Sequence, residues 1–224
     1  KVNYTNFATN EELYAKLKSG GANYDVIIPS DYMIARMINE DMLEKLDFSN
    51  IPNYKSKIME RYRGLEYDPN EEYSVPYTVG MVGLIYNTTM VDEEDLGSWG
   101  ILWNEKYANE ILMFSNSRDA FAIACKYLGY SMNTLDENEL AEITDLLIAQ
   151  KPLVYSYAND NARDLMIGDS AALAVITSGD VIYAQDENDK LDFVVPEEGT
   201  EVWTDCWAIP RAVNNKAGAE AWLN

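Results

Sequence analysis

Trp203 and Asp205 stand two residues apart in EVWTDCWAIP, residues 201–210. If that segment is a strand, positions i and i+2 share a face, so an indole and a carboxylate project side by side. Such a pair can hold a cation, because the carboxylate gives charge-assisted hydrogen bonds and the aromatic face attracts positive charge. The same two residues can equally be a core tryptophan and a turn or capping aspartate. Two more aspartates have a local structural reading. Asp119 opens a helical stretch, where the helix dipole stabilises a carboxylate with or without a ligand. Asp180 sits beside Gly179 and reads as a helix-capping aspartate. Asp119, Asp180 and Asp205 could together provide the acid and base of a glycosidase, but nothing resembling a sugar subsite accompanies them.

The 224-residue chain contains no histidine. That removes the usual neutral-pH general base and the Ser-His-Asp and Cys-His nucleophile arrangements, and with them most hydrolase mechanisms. Cys125 and Cys206 fit no metal or redox spacing and are expected to be two unpaired thiols, with no metal and no cofactor. The net charge of −21 argues against nucleic acid, whose phosphates need clustered Lys and Arg. Residues 1–63 carry 9 basic and 9 acidic side chains and residues 64–224 carry 8 and 29, so the whole excess lies downstream. A cationic partner suits that distribution; so does a solvated acidic surface. No apolar run approaches the roughly 18 residues of a membrane helix. The chain starts at Lys1 and stops inside the helical pattern AGAEAWLN, so both ends are expected to be cut, and a removed leader or lipid anchor is compatible with it.

The elements that must position these residues alternate between helix and strand. Thr9 to Glu12 has capping-box spacing ahead of Leu13 and Leu17, predicting a helix over 10–19 that ends at Gly20-Gly21. Tyr24 to Ile28 reads as a buried strand. Ser30-Asp31 follows as the cap of a helix carrying Met33, Met37 and Ile38, with Asp31 expected at the N-cap. Ser30, Asp31 and Tyr32 thereby fall at a strand's carboxyl end, where open α/β sheets bind ligands. Residues 74–87 are too long for one ordinary strand and contain Gly80 and Gly83, as a strand crossing between two lobes would. Downstream come strand 111–114, a helix over about 118–128 stopped by Gly129, a helix over about 137–150 before Pro152, strand VYSY, a short helix over 161–167, strand ALAVI, a helix after Gly179 and strand DFVV. The extended segment 201–210 and a helix capped by Asn214 or Asn215 complete the pattern. Two long crossing strands predict an α/β protein of two hinged lobes.

Five segments in order resemble one family: NEELYAKL at 10–17, YDVIIPSDY at 24–32, YSVPYTVG at 73–80, SRDAF at 117–121 and WTDCWAIP at 203–210. This is the spermidine/putrescine-binding component of bacterial polyamine ABC importers, and the resemblance spans nearly the whole chain. It implies a two-lobed periplasmic-binding-protein fold of the class II type with two crossing hinge strands. The first lobe, residues 1–80 and 206–224, is discontinuous and expected to be incomplete; the second is residues 81–205. The family's first strand would precede Lys1 and further ligand residues would follow Asn224.

The resemblance also implies a ligand set. Ser30 and Tyr32 match the loop from which a hydroxyl and a phenol meet the ligand, Asp119 matches an acidic ligand position, and Trp203 and Asp205 match an aromatic–carboxylate pair. Asn116 stands where spermidine-type members carry aspartate, and Thr177 where members often carry tryptophan. Asp180 resembles the aspartate of putrescine-selective relatives. Tyr77 could line the interlobe cleft or serve the hinge or core. The implied partners are putrescine or spermidine and the permease subunits of an ABC importer, with an extracytoplasmic location and membrane contact only through an anchor or transporter. Another solute on the same scaffold, such as iron, a sugar or an anion, is the alternative cargo. Ferric capture usually wants tyrosine pairs and anions want Arg or free helix N-termini, which these candidates do not supply.

Overall fold

The computed structural model describes residues 2–224. Among them the helices are α1 (Asn10–Lys18), α2 (Asp31–Asn39), α3 (Tyr54–Lys57), α4 (Ser117–Leu128), α5 (Glu137–Gln150), α6 (Asn161–Ile167), α7 (Ser178–Glu187) and α8 (Lys216–Leu223). The strands are β1 (Ser74–Asn87), β2 (Ile111–Phe114), β3 (Val154–Ala158), β4 (Leu173–Thr177), β5 (Leu191–Val194) and β6 (Val202–Ala208). The chain forms two compact units. One comprises the residues through Val79 together with Trp203–Asn224, and the other is Gly80–Val202. The backbone therefore passes from one unit to the other inside β1 and again at the start of β6.

In the discontinuous unit, Thr9 caps α1 by accepting the Glu12 N–H at 3.2 Å, and the Glu12 carboxylate reaches back to the Ala8 N–H at 2.9 Å. Helices α1 and α2 bury Leu13, Met33, Ile34 and Met37, which pack with Leu43 and with Cys206 and Ala208 of β6. The i, i+4 spacing of Met33 and Met37 puts both on one helical face, each fully burying side-chain area that stabilises by about 1.5–3 kcal/mol. A second cluster joins Leu46, Ile51, Tyr54, Val75, Ile209 and Ala219. The entry to β1 is set by Asp68. Its buried carboxylate accepts the backbone N–H groups of Glu72, Tyr73 and Ser74 at 3.1, 2.9 and 3.0 Å, and the Ser74 hydroxyl at 2.9 Å.

The expected strand over 24–28 is not a ladder. Residues Ile27 and Ser30 make single antiparallel bridges to Ala208 and Asp205. Pro29 lies between them, accepting the Cys206 N–H at 2.9 Å but having no N–H to return, so regular pairing is interrupted there.

The continuous unit is built on a mixed sheet of order β3-β2-β4-β1-β5. Strand β2 runs parallel to β3 and β4, and helices α4 to α6 supply the crossovers that parallel pairing requires. Strand β1 is antiparallel to β4 and β5, with Ile85 opposite Ala174 and Phe193. Gly83 has a packing reason: a Cβ there would lie 2.3 Å from Cζ of Phe193, whose ring covers the glycine. Helix α4 ends where the sequence predicts, at Gly129 with φ 77°, a left-handed conformation that glycine adopts without strain.

Candidate functional site

In the discontinuous unit, three of the expected residues come together where α2 begins. Ser30 is the N-cap of α2 and stands opposite Asp205 in an antiparallel bridge. Its hydroxyl makes no bond to the helix it caps and donates instead to Asp205 Oδ1 at 2.7 Å. The Trp203 indole N–H donates to Asp205 Oδ2 at 3.3 Å. Asn10, the first residue of α1, locks Ser30 from the other side: its Nδ2 donates to Ser30 Oγ at 3.0 Å and its Oδ1 accepts the Ser30 N–H at 3.2 Å. Tyr32 lies two residues on, with its hydroxyl donating to Glu11 at 2.8 Å.

Asp31 is not the N-cap the sequence predicts but the first residue inside α2. Its Oδ1 accepts the Tyr32 N–H at 2.6 Å and its Oδ2 accepts the Thr204 N–H at 3.0 Å, so it ties β6 to the start of α2.

Alternation along β6 sets the face. Trp203, Asp205 and Trp207 are half-buried, and Thr204, Cys206 and Ala208 between them are buried. The indole and the carboxylate therefore share one side of the strand, and Trp207 continues the row. Trp207 packs against Tyr77 of β1, ring centroids 5.0 Å apart at 60°, and against Trp222 of α8 at 6.3 Å and 79°. On the buried side, the Cys206 thiol lies 3.4 Å from the Tyr67 hydroxyl. Burial pushes the thiol up to about 12 and raises the Tyr67 phenol as well.

In the continuous unit the remaining candidates fall into two places. Asn116 caps α4, its Oδ1 accepting the Arg118 N–H at 3.1 Å, and Asp119 follows in the first turn. Arg118 donates to Asn133 at 3.2 Å. Asp180 is in the first turn of α7, whose N-cap is Thr177. Its carboxylate accepts the Thr177 hydroxyl at 2.9 Å and pairs with Arg163 at 3.2 Å.

Two residues of the arrangement were missed in the sequence. Trp207 carried a signal, since it extends the i, i+2 spacing of Trp203 and Asp205. Asn10 carried none, because it lies 20 residues from Ser30 on another helix and no spacing rule joins them. Among the described residues, no group of three or more His, Cys, Asp or Glu side chains could hold a metal ion, and no helix is long and apolar enough to cross a membrane.

Comparison with known proteins gives a consistent set of likenesses. Residues 22–224 match the model of the bacterial extracellular solute-binding protein family. The spermidine/putrescine-binding periplasmic protein of Salmonella typhimurium is 34% identical over 226 residues, covering 100% of this chain and 64% of its own length. The putrescine-binding periplasmic protein of Pseudomonas aeruginosa is 29% identical over 242 residues, covering 100% of this chain and 66% of its own. Among solved structures, the spermidine/putrescine ABC transporter substrate-binding protein of Streptococcus pneumoniae superposes with a TM-score of 0.79 at 37% identity, covering 100% of this chain and 69% of that one. The chain thus spans a little under two thirds of the length of the curated relatives it matches.

Proposed function

The chain belongs to the bacterial extracellular solute-binding proteins, and from that premise we propose that it captures putrescine or spermidine outside the cytoplasm for an ABC importer. The observation that carries the proposal is the Asp205 carboxylate, flanked by an indole and held by the Ser30 hydroxyl and the Trp203 N–H. An alkyl polyamine carries ammonium groups separated by methylenes. Each ammonium sheds water on binding and needs a negative or strongly accepting partner in exchange. Asp205 is suited to that task, since two protein donors fix its orientation while a carboxylate retains further lone-pair sites. With its N–H committed to Asp205, the Trp203 indole has its ring faces left for methylene and cation contact.

In the continuous unit, Asn116, Asp119 and Asp180 are the groups we assign to the ligand's other amines, and Tyr32 joins Ser30 in the discontinuous one. The names of the Salmonella and Pseudomonas relatives support the same ligand class. Permease subunits of the importer are the partner that such a role requires.

Titration calorimetry on the intact protein with putrescine, spermidine, maltose and ferric citrate tests the proposal. Saturable binding of the amines and silence toward the others is expected. Binding of sugar or iron with no response to amines overturns it. Mass spectrometry of ligand carried through purification identifies which amine is held.

A further inference from the structure

We infer that Asn10 is a positioning residue for Asp205 and acts on it through the Ser30 hydroxyl. This deepens the amine-binding proposal and rests on it. An N-cap serine ordinarily turns its oxygen toward the helix and accepts an N–H from the first turn. Ser30 occupies the N-cap of α2 and makes no such bond. The Asn10 carboxamide accounts for the difference: it grips Ser30 at two points, the backbone N–H at 3.2 Å and Oγ at 3.0 Å.

A hydroxyl has a single proton. With Asn10 donating to Oγ, that proton is left to give, and it goes to Asp205 Oδ1 at 2.7 Å, a short charge-assisted bond. The order Asn10 to Ser30 to Asp205 is thus a directed chain of donors that fixes one carboxylate oxygen, while Trp203 fixes the other at 3.3 Å. Asn10 has no duty to its own helix, because Thr9 caps α1. Helix propensity or capping therefore does not explain its side-chain geometry. The carboxamide is the right group and a carboxylate is not, since only the amide can donate to Oγ while accepting the Ser30 N–H.

The test is a double-substitution cycle in the intact protein, read as putrescine affinity by calorimetry alongside the thermal midpoint of the ligand-free form. Asn10→Ala and Ser30→Ala should each weaken capture by about three- to tenfold, the range for one lost hydrogen bond. In the Ser30→Ala background, Asn10→Ala should then cost nothing further, because its route to Asp205 is gone. Asn10→Asp supplies a second variant of the same shape. It keeps the acceptor for the Ser30 N–H but draws the Ser30 proton away from Asp205, so capture should weaken despite the added negative charge.

Additive effects, an unchanged affinity in Asn10→Ala, or tighter capture by Asn10→Asp would each overturn the inference while leaving amine binding standing. A wild-type protein silent toward every amine overturns both. A loss explained by a lowered thermal midpoint alone, with the two single substitutions acting independently, reduces Asn10 to a strut between α1 and α2.

Discussion

Arg163 Nη1 stands 3.2 Å from Asp180 Oδ1 while the Thr177 hydroxyl donates to Oδ2 at 2.9 Å, so the protein itself engages both oxygens of that carboxylate. The same guanidinium lies over the Tyr183 ring, 4.9 Å from its centroid. A cation paired with a carboxylate and set over an aromatic ring makes the contacts a bound ammonium would make. If Asp180 belongs to the ligand set, Arg163 competes for it. Arg163→Met should then raise polyamine affinity by about two- to fivefold, the scale of a partly exposed ion pair. An unchanged affinity in calorimetry removes Asp180 from the set.

Asp205→Asn keeps the shape of the side chain and removes its charge. Breaking one side of a desolvated charge pair costs about 2–5 kcal/mol, so amine affinity should fall roughly 30-fold or more. Wild-type affinity in this variant would mean that the ligand's charge is balanced elsewhere.

Intrinsic fluorescence should report the same contact. Trp99 is fully buried with its N–H on the Gly199 carbonyl, and Trp103 is stacked on Tyr127 with its N–H on the Leu146 carbonyl. Neither is expected to respond to amine. Trp203→Leu should abolish most of the spectral change that putrescine produces; a change that survives assigns the signal to Trp207 or Trp222.

Much of this arrangement was legible in the sequence, and the reasons differ by residue. Helix α4 was delimited by a first-turn aspartate and a C-terminal glycine, signals that are local in the chain. The shared face of Trp203 and Asp205 followed from strand period alone. The role of Asp31 did not, because an aspartate at the edge of a helix can satisfy its own helix or a distant strand, and the choice depends on Thr204, 173 residues away. The missing ladder at 24–28 was hidden for a related reason. Hydrophobic pattern predicts burial, which Ile27 has, but pairing is lost at Pro29 through an absent donor. Pairings such as Arg163 with Asp180 are set by packing between helices and leave no trace in spacing.

Both cysteines are free and buried, and burial raises each thiol, Cys206 to about 12. Thiolate is the reactive form, so Ellman's reagent at pH 8 should label almost nothing in the folded protein and both thiols after denaturation. Rapid labelling under native conditions would show that the cluster around Cys206 opens readily.

Glu40 receives Lys18, Tyr14 and Arg36 at 2.6, 2.6 and 3.0 Å, and these donors lower its carboxyl to about 2. A carboxyl lowered in the folded state favours folding above its ordinary value of 4.5, and that contribution fades as pH falls toward 2. Wild type should therefore melt above Glu40→Gln at pH 6, and the gap should narrow below pH 4.5 and close near pH 2. A gap that stays constant across that range would assign the effect to shape rather than charge.

The discontinuity of one unit also bears on the order in which the two units can fold. Gly80–Val202 is contiguous and contains both sides of every pairing of β1 with β4 and β5 and of β2 with β3 and β4, so it needs no residue outside itself to close its sheet. The other unit needs both ends of the chain. The bond between Ser30 and Asp205 spans 175 residues, and the cluster of Leu13, Met33 and Met37 lacks Cys206 and Ala208 until β6 has been made. Until then that apolar face lacks the cover that β6 supplies. Folding of the middle segment first shortens the loop that must close, which lowers the entropy cost of bringing β6 onto α1 and α2.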